Sequence, residues 1–323
     1  SEAENYIAQR SDDEPFFLYL ALMAPHTPTS PGEAWQGKSD LGVYGDFVME
    51  VDHAVERVMN ALEAKGLDEN TLVMFSSDHG AAPYAGNILE ATPAQIKQME
   101  AAGHYSSGVH RGYKFSIYEG GLLVPFIAKW PGKIPAGSTC ESMIGLCDLM
   151  ATFAALTGQE LEDAEAPDSI SFAHLLTNPA AAPKRENLIM ESVVAYTIRE
   201  GNWKLILSPS SGVRDGDGVF DGNDPMPTKA WKSALSKFEG KPTEADLLKP
   251  PFVQLFDLAT DPHEDKNLAE QHPERVEEMV SLIQKHVFDG RSTPGPQLKN
   301  DKNVLLVNLR DKRLPEFVRE LAE

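Results

Sequence analysis

The sequence has few cysteines, little positive charge and no long apolar run. Its 323 residues contain two cysteines, Cys140 and Cys147. With no Cys/His cluster around them they do not indicate a metal site, and a disulfide between them stays open. Lys and Arg number 29 against 49 Asp and Glu, a formal net charge of −20. That balance argues against nucleic acid or an anionic membrane as a partner. No apolar run approaches the roughly 20 residues of a membrane-spanning helix.

The composition is that of a globular protein with a sizeable core. Hydrophobic residues make up 41% of the chain and charged residues 24%, which are ordinary values. The stretch 71–80 stands out, because an apolar run at 71–75 stops abruptly at Ser-Ser-Asp-His-Gly. Such a run predicts a buried strand of a parallel sheet. Ligands of open α/β sheets bind just beyond the carboxyl ends of strands, so Asp78 and His79 are placed to hold a metal or act on a substrate. The alternative is that they cap a helix or solvate a loop.

A second apolar run, 16–22, predicts another strand, and His26 follows its end. Apolar residues at helical spacing predict a helix over 44–65 with one buried stripe. The order strand, helix, strand predicts a right-handed βαβ unit. Beyond Gly80, we expect a helix over 93–102 and a strand over 122–128. Two further helices are expected near 148–156 and 169–176.

The pattern changes near residues 180–183, where we place a domain boundary. Residues 1–183 are expected to form an α/β domain with a largely parallel sheet flanked by helices. Residues 184–323 are expected to form a smaller α+β domain with an antiparallel sheet. Its predicted elements are strands at 187–192, 195–199, 203–207 and 253–258, a hairpin turn at 201–202, and helices at 273–287 and near 315–321. Residues 208–251 are rich in Gly, Pro, Asp and Lys and predict a long mobile insertion that packs only on the surface.

Four polar side chains lie at or after the apolar runs of the first domain: His26, Asp78, His79 and Lys114. A carboxylate and an imidazole suit a divalent cation, with Ca²⁺ or Mg²⁺ favoured by oxygen ligands and Zn²⁺ or Mn²⁺ by nitrogen ligands. A Lys and a second His beside that cation could hold a tetrahedral oxyanion, and the His could protonate a leaving oxygen. Each residue alone is equally compatible with a structural role.

Several segments, in one order, resemble the C-terminal portion of type I sulfatases, in the alkaline-phosphatase-like superfamily. They are Pro25-His26-Thr27-Pro28, Ser77-Asp78-His79-Gly80, Arg111-Gly112-Tyr113-Lys114, Glu119-Gly120-Gly121, Trp130-Pro131-Gly132, Gly201-Asn202-Trp203-Lys204-Leu205 and Leu255-Phe256-Asp257-Leu258. Each match is weak alone, but their shared order makes the resemblance specific, and it runs through most of the chain.

The resemblance implies a role for each matching residue. Asp78 and His79 would be ligands of a divalent cation, usually Ca²⁺. Lys114 would contact the sulfate, and His26 would contact the sulfate or the bridging oxygen and act as the general acid. His104 would be a substrate contact. The implied partner is a sulfated carbohydrate or aryl sulfate, and the implied localisation is periplasmic or secreted.

Two departures from the family pattern stand out. Leu123 occupies a position where relatives often carry Arg before Val-Pro. The chain also contains no Cys-x-Pro-x-Arg or Ser-x-Pro-x-Arg, the motif that supplies the formylglycine nucleophile of the family. We therefore expect a split or truncated sulfatase that needs an N-terminal half, or another chain, for activity. The alternatives are a phosphonate monoester or phosphodiester hydrolase of the same superfamily, and a non-catalytic carbohydrate-binding remnant.

Overall fold

The chain folds as two units, in a computed structural model that describes residues 1–82, 99–212 and 227–323. The first unit consists of Ser1–Ser77, Ala81–Gly108 and Pro125–Gly137. The second unit consists of Asp78–Gly80, Val109–Val124 and Ser138–Glu323. These units are not divided at residue 183, and the domain boundary expected there stays a prediction.

The first unit is built on two helices and a two-stranded sheet. Its elements are α1 (Glu2–Ala8), α2 (Gly42–Ala64), β1 (Val73–Ser76) and β2 (Phe126–Lys129). The helix α1 begins with a capping box, in which the Ser1 side chain accepts from the Glu4 amide, and such a box satisfies amides that the helix leaves unpaired. Ile7, Leu62 and Leu67 form a small apolar core between α1, α2 and the turn that follows α2.

Two expectations for this unit are wrong. The strands β1 and β2 pair antiparallel, with Val73 opposite Lys129, so β1 does not close a parallel βαβ unit here. Residues 16–22 form no strand. The alternate side chains Phe16 and Leu18 pack against the core, whereas Phe17 and Tyr19 between and after them are 68% and 82% exposed. The predicted stripe of α2 is only partly buried, since Leu62 is 2% exposed and Val48 is 40% exposed.

The loop between His26 and α2 is fixed to α2 by two carboxylates. Asp46 accepts hydrogen bonds from the amides of Gly37, Lys38 and Ser39 at 2.7–2.8 Å. These donors, that of Ser39 foremost, hold the pKa of the Asp46 carboxyl below its ordinary value. The Glu50 carboxylate accepts from the Gly32 amide at 3.0 Å. A loop of this composition would otherwise leave its amides to water.

The second unit contains a four-stranded antiparallel sheet in the order β3-β4-β5-β6. The strands are β3 (Asn187–Glu191), β4 (Tyr196–Glu200), β5 (Trp203–Ile206) and β6 (Gln254–Asp257). Gly201, in the left-handed region at φ 57°, makes the tight turn between β4 and β5, as predicted. The helices of this unit are α3 (Glu119–Leu122), α4 (Leu149–Thr157), α5 (Ala173–Thr177), α6 (Pro227–Leu235), α7 (Glu244–Leu247), α8 (Pro273–Asp289) and α9 (Glu316–Arg319).

The predicted surface insertion, residues 208–251, instead contributes two short helices to the main core, although other described residues in it, Lys241 among them, are exposed. Trp231 on α6 is 2% exposed and Leu247 on α7 is 1% exposed. Both belong to the cluster that includes Leu255 of β6 and Met279 of α8. Sparse apolar residues at helical spacing suffice to anchor two short helices, which the overall polarity of the segment concealed. The remaining residues, 213–226, lie outside the described part of the chain.

Three smaller observations complete the fold. Of the helix expected over 93–102, residues 93–98 lie outside the described ranges, and 99–101 are helical. Both Cys140 and Cys147 are exposed free thiols. Among the described residues, no helix combines the length and apolar character that crossing a bilayer requires.

Candidate functional site

Asp78 and His79 form a turn in which an imidazole faces a carboxylate. The His79 Nδ1 lies 2.9 Å from the Gly80 carbonyl oxygen, and because a carbonyl only accepts, Nδ1 carries the proton. In the neutral ring, Nε2 then presents a lone pair toward Asp78 Oδ2 at 3.3 Å. A histidine whose other nitrogen donates to a backbone carbonyl is the usual arrangement of a metal-ligating histidine. His79 Nε2 and Asp78 Oδ2, as two acceptors 3.3 Å apart, could share a proton or bind one cation together.

Gly80 fixes this turn to the short helix α3. Its amide donates to the Gly121 carbonyl at 3.0 Å. A Cβ atom at Gly80 would lie 1.9 Å from the Gly120 carbonyl oxygen, closer than real Cβ contacts reach. Only glycine therefore allows the turn to approach α3 so closely.

The loop that carries Lys114 packs against the other side of α3. The Gly120 amide donates to the Arg111 carbonyl at 2.8 Å, and a Cβ at Gly121 would lie 2.3 Å from the Ser116 carbonyl oxygen. Lys114 itself is half-buried, with Nζ 5.3 Å from the ring centroid of Phe115. Because Gly120 and Gly121 have no side chains, the Lys114 loop and the Asp78–Gly80 turn can both pack closely against α3.

Two buried charged residues, Lys204 and Glu264, contact Glu119, the first residue of α3. Lys204 Nζ, fully buried on β5, lies 2.9 Å from Glu119 Oε1 and 2.9 Å from Glu264 Oε1. The Glu119 amide donates to Glu264 Oε2 at 2.6 Å. Arg199 Nη1 on β4 donates to Glu119 Oε2 at 3.1 Å. We call Glu119, Lys204 and Glu264 the buried triad.

The pKa values of the two carboxyl groups in the buried triad are shifted in opposite directions. Burial by itself would raise the pKa of Glu119, but the Lys204 ammonium, helped by Arg199, brings the net shift of that pKa below its ordinary value. Burial raises the pKa of Glu264, and the same ammonium offsets only part of that rise. Lys204 Nζ lies 2.9 Å from an oxygen of each carboxylate, so the two glutamates share one ammonium group.

Arg111 connects the buried triad to the Lys114 loop. Its Nη1 donates to the Glu264 carbonyl oxygen at 2.9 Å, and its guanidinium carbon lies 4.2 Å from the ring centroid of Tyr118. The Tyr118 hydroxyl donates to Gln254 of β6 at 2.8 Å. Both ends of the loop are therefore attached to the antiparallel sheet and to the segment after it.

The other two predicted site residues belong to the first unit. His26 is exposed, and its Nδ1 lies 2.5 Å from the Thr27 carbonyl oxygen, which places the proton of the neutral ring on Nδ1. His104 is half-buried, with its ring centroid 6.5 Å from that of Tyr44. The structure thus brings Asp78, His79 and the Lys114 loop together through α3, while the convergence of His26 and His104 with them stays a prediction.

The donor set suits part of a cation shell. Within residues 1–82, 99–212 and 227–323, no group of three or more His, Cys, Asp or Glu side chains could hold a metal ion. Asp78 offers an 83% exposed carboxylate, a hard oxygen donor that Ca²⁺ accepts, and His79 is a weaker ligand for that ion. The two residues fit a divalent cation as contributors, because Ca²⁺ takes about six to eight oxygen ligands.

A cavity of about 250 Å³ lies elsewhere in the second unit. Pro209, Lys229, Ser233, Lys237, Gln254 and Asn267 are among the residues that line it. None of the predicted site residues is among those that line this cavity.

Sequence reasoning missed the buried triad as a functional feature. One pattern could have found it: Lys204 lies between Trp203 and Leu205 in an otherwise apolar strand, and a lysine is almost never fully buried without a charged partner. The identity of the partners could not be read from spacing, because Glu119 and Glu264 are far from Lys204 in the chain.

Comparison with known proteins gives one family. The Sulfatase family matches residues 1–159. An N-acetylgalactosamine-6-O-sulfatase of Bacteroides thetaiotaomicron is 31% identical over 285 residues, covering 88% of this chain and 49% of that protein. Human arylsulfatase A is 32% identical over 299 residues, covering 90% of this chain and 52% of that protein. The chain spans about half the length of these relatives.

The fold agrees with the family. A solved structure from work on the metabolism of multiple glycosaminoglycans by Bacteroides thetaiotaomicron superposes with a TM-score of 0.71 at 29% identity. The match covers 88% of this chain and 52% of that one. The predicted alkaline-phosphatase-like fold with a small antiparallel-sheet subdomain is confirmed. On sequence and structure together, the chain belongs to the type I sulfatase family.

Proposed function

We propose that this chain supplies metal-ligating and anion-contacting residues of a sulfuric ester hydrolase. The substrate class is a sulfated carbohydrate or an aryl sulfate, in keeping with relatives named N-acetylgalactosamine-6-O-sulfatase and arylsulfatase A. One observation carries the proposal: the Gly80–Gly121 hydrogen bond of 3.0 Å. It ties the Asp78–His79 turn to the helix whose other side packs on the Lys114 loop.

Each residue has one role in this proposal. Asp78 and His79 contribute ligands to a divalent cation, Ca²⁺ in the first place. When bound, such a cation acts as a Lewis acid toward the sulfate oxygens. Lys114 contacts a sulfate oxygen, where its positive charge stabilises the negative charge that grows as the ester bond breaks. His104 contacts the substrate.

His26 is proposed as the general acid. With Nδ1 donating to Thr27, the protonated ring carries its second proton on Nε2, which it gives to the leaving alcohol oxygen as the S–O bond breaks. The leaving alkoxide would otherwise be a poor leaving group, and general acids of this kind contribute about 100- to 10,000-fold to rate.

The nucleophile is proposed to come from outside these 323 residues, because they contain no Cys-x-Pro-x-Arg or Ser-x-Pro-x-Arg. Further cation ligands would come from the same source, an N-terminal half or a second chain. The other partner is the sulfated substrate, and the protein is proposed to act outside the cytoplasm, in the periplasm or after secretion.

The test is a hydrolysis assay on an aryl sulfate and on a 6-O-sulfated N-acetylgalactosamine, with Ca²⁺ or with a chelator. The 323-residue chain is assayed alone and together with a segment that bears the nucleophile motif. We expect turnover only in the combination. Lys114→Ala should lower kcat/KM about 100-fold, as loss of one oxyanion-stabilising group does. Lys241→Ala, at an exposed lysine of the second unit, should leave kcat/KM unchanged.

Two outcomes would contradict the proposal. Robust turnover by the 323-residue chain alone, lost in Lys114→Ala, would place the nucleophile within it. Faster hydrolysis of a phosphonate monoester or phosphodiester than of any sulfate ester would favour the alternative enzyme class.

A further inference from the structure

We propose that Glu119, Lys204 and Glu264 are positioning residues, which fix the Asp78–Gly80 turn and the Lys114 loop to one frame. The inference rests on the proposed function for its catalytic meaning, but its structural part stands on contacts within the second unit. None of the three side chains is proposed to touch the substrate.

The first step is the attachment of α3 to the sheet. A helix of four residues has too few internal hydrogen bonds to be stable alone. The carboxylate of Glu119, its first residue, accepts hydrogen bonds from Lys204 of β5 at 2.9 Å and from Arg199 of β4 at 3.1 Å. Two neighbouring strands therefore determine both the place and the rotation of α3.

The second step is that α3, once fixed to the sheet, fixes the two segments of the candidate site. The helix α3 contacts the Asp78–Gly80 turn through the Gly80 amide and the Lys114 loop through the Arg111 carbonyl. These are contacts between backbone atoms, without side chains that could adapt to a shifted helix. A displacement of α3 would therefore reach both segments directly.

Glu264 supplies the third step, because it secures the loop from a second direction. Its carboxylate accepts from the Glu119 amide and its carbonyl from Arg111 Nη1. Glu264 has φ 58°, in the left-handed region where residues other than glycine are rare, and holding it there costs about 1 kcal/mol. The unusual backbone conformation of Glu264 directs both its carboxylate and its carbonyl to the α3 segment, which indicates a positioning role.

The energetics also favour a positioning role over simple stabilisation. A buried ion pair contributes little more than an apolar replacement of similar volume, whereas it imposes distances and directions that apolar packing does not. The buried triad joins three segments that are distant in sequence. It therefore defines where the site segments lie more than how stable the fold is.

The test measures hydrogen–deuterium exchange of the full 323-residue chain, comparing Glu119→Gln with Asp148→Asn. Asp148 is an equally buried carboxylate of the second unit, paired with Arg185. We expect Glu119→Gln to speed exchange at least about tenfold in peptides covering 76–82 and 109–122. Asp148→Asn should leave those peptides unchanged, whatever it does elsewhere. Equal exchange in the two variants over these peptides would overturn the proposal.

A milder pair of variants answers the case in which Glu119→Gln does not fold. Arg199 and Arg275 have side chains 26% and 23% exposed and each makes an ion pair in the second unit. Arg199→Ala should speed exchange in the same two peptides, and Arg275→Ala should not. No difference between the two arginine variants there would count against the positioning role.

Catalysis is read separately, so that the two proposals can fail independently. In a hydrolytically active protein, Glu119→Gln should lower kcat more than it raises KM, because misplacement weakens transition-state contacts. Faster local exchange in a protein that cleaves no sulfate ester would leave the positioning network intact and refute the proposed function. Sulfate ester hydrolysis with unchanged exchange in Glu119→Gln would do the reverse.

Discussion

Two segments that carry predicted site residues are held in opposite ways. Around His26, the side chains of Phe17, Tyr19 and Met23 are 68–87% exposed. In the 109–124 segment, which carries Lys114, Ile117 and Tyr118 are fully buried.

This difference in burial indicates which part of the candidate site is preorganised. A residue fixed by buried charges and backbone contacts contributes its chemistry without further ordering, whereas an exposed one loses conformational entropy when a substrate binds. In this chain the Asp78–Gly80 turn and the Lys114 loop are both held by backbone contacts with α3. His26 is exposed, and its ring orientation is set by the contact of Nδ1 with the Thr27 carbonyl.

Among changes at the Asp78–Gly80 turn and the buried triad, the largest effect on stability is expected at Gly80. In Gly80→Ala the new Cβ would meet the Gly120 carbonyl at 1.9 Å, so the backbone has to shift. We expect a loss of about 3 kcal/mol in the free energy of unfolding, the upper end for overpacked sites. Urea denaturation followed by tryptophan fluorescence measures it.

The matched control is Gly137→Ala in the first unit. Gly137 has φ 69°, and a Cβ added there would meet nothing within 4 Å, so only backbone strain of about 1 kcal/mol is expected. An equal loss in the two variants would mean that the close approach of Gly80 to α3 is not what constrains the turn.

A pH effect of intermediate size is expected from Glu264. Its pKa in the folded chain is raised above the ordinary value of 4.5, so the folded state binds the extra proton. Above pH 4.5, this group therefore lowers stability as pH rises through its folded pKa, by at most about 1.4 kcal/mol per pH unit. The groups that face Glu264 are Lys204, the Glu119 carboxylate and amide, and the Arg111 guanidinium at its carbonyl oxygen.

Glu264→Gln removes that titration. The free energy of unfolding of Glu264→Gln minus that of the parent should grow as pH rises from 4.5 to 8, measured by urea denaturation at each pH. Asp46→Asn, at a carboxyl whose pKa is held below its ordinary value by amide donors, provides the comparison and should not show this rise. A difference that shrinks with rising pH would contradict the assigned direction.

The smallest effect is expected in the His26 segment. Tyr19 is 82% exposed, so Tyr19→Ser should change the free energy of unfolding by less than about 0.5 kcal/mol. Ile117→Ala, at a fully buried side chain of the Lys114 segment, should cost about 2–5 kcal/mol. A cost for Tyr19→Ser approaching that of Ile117→Ala, in thermal or urea unfolding, would remove the contrast between the segments.

Much of the fold could be predicted because its patterns are local. The helix predicted at 44–65 is Gly42–Ala64, the strands β3 to β6 lie within about two residues of their predicted bounds, and the helix predicted at 273–287 is Pro273–Asp289. Period, turn residues and caps determine such elements. The strand predicted at 16–22 was wrong because strand pairing depends on a partner strand that the apolar pattern does not reveal.

The site was predictable as residue types and not as contacts. The sequence pattern and the family resemblance indicated Asp78, His79 and Lys114, and the direct Asp78–His79 contact follows from their adjacency. The link through Gly80 and α3 depends on a close backbone approach, and the pairing of Lys204 with Glu119 and Glu264 depends on tertiary packing. Neither has a period or a spacing from which it could be inferred.

The shared lysine has a consequence for how this family can change. Loss of Lys204 alone would leave two buried carboxylates without their shared ammonium group, and loss of Glu119 alone would leave the lysine with Glu264 as its carboxylate partner. Substitutions at these positions should therefore be inherited together, and homologues should fall into groups that keep all three or replace all three. In a comparison of many sulfatase sequences, positions 119, 204 and 264 should covary more strongly than Asp148 does with any of them.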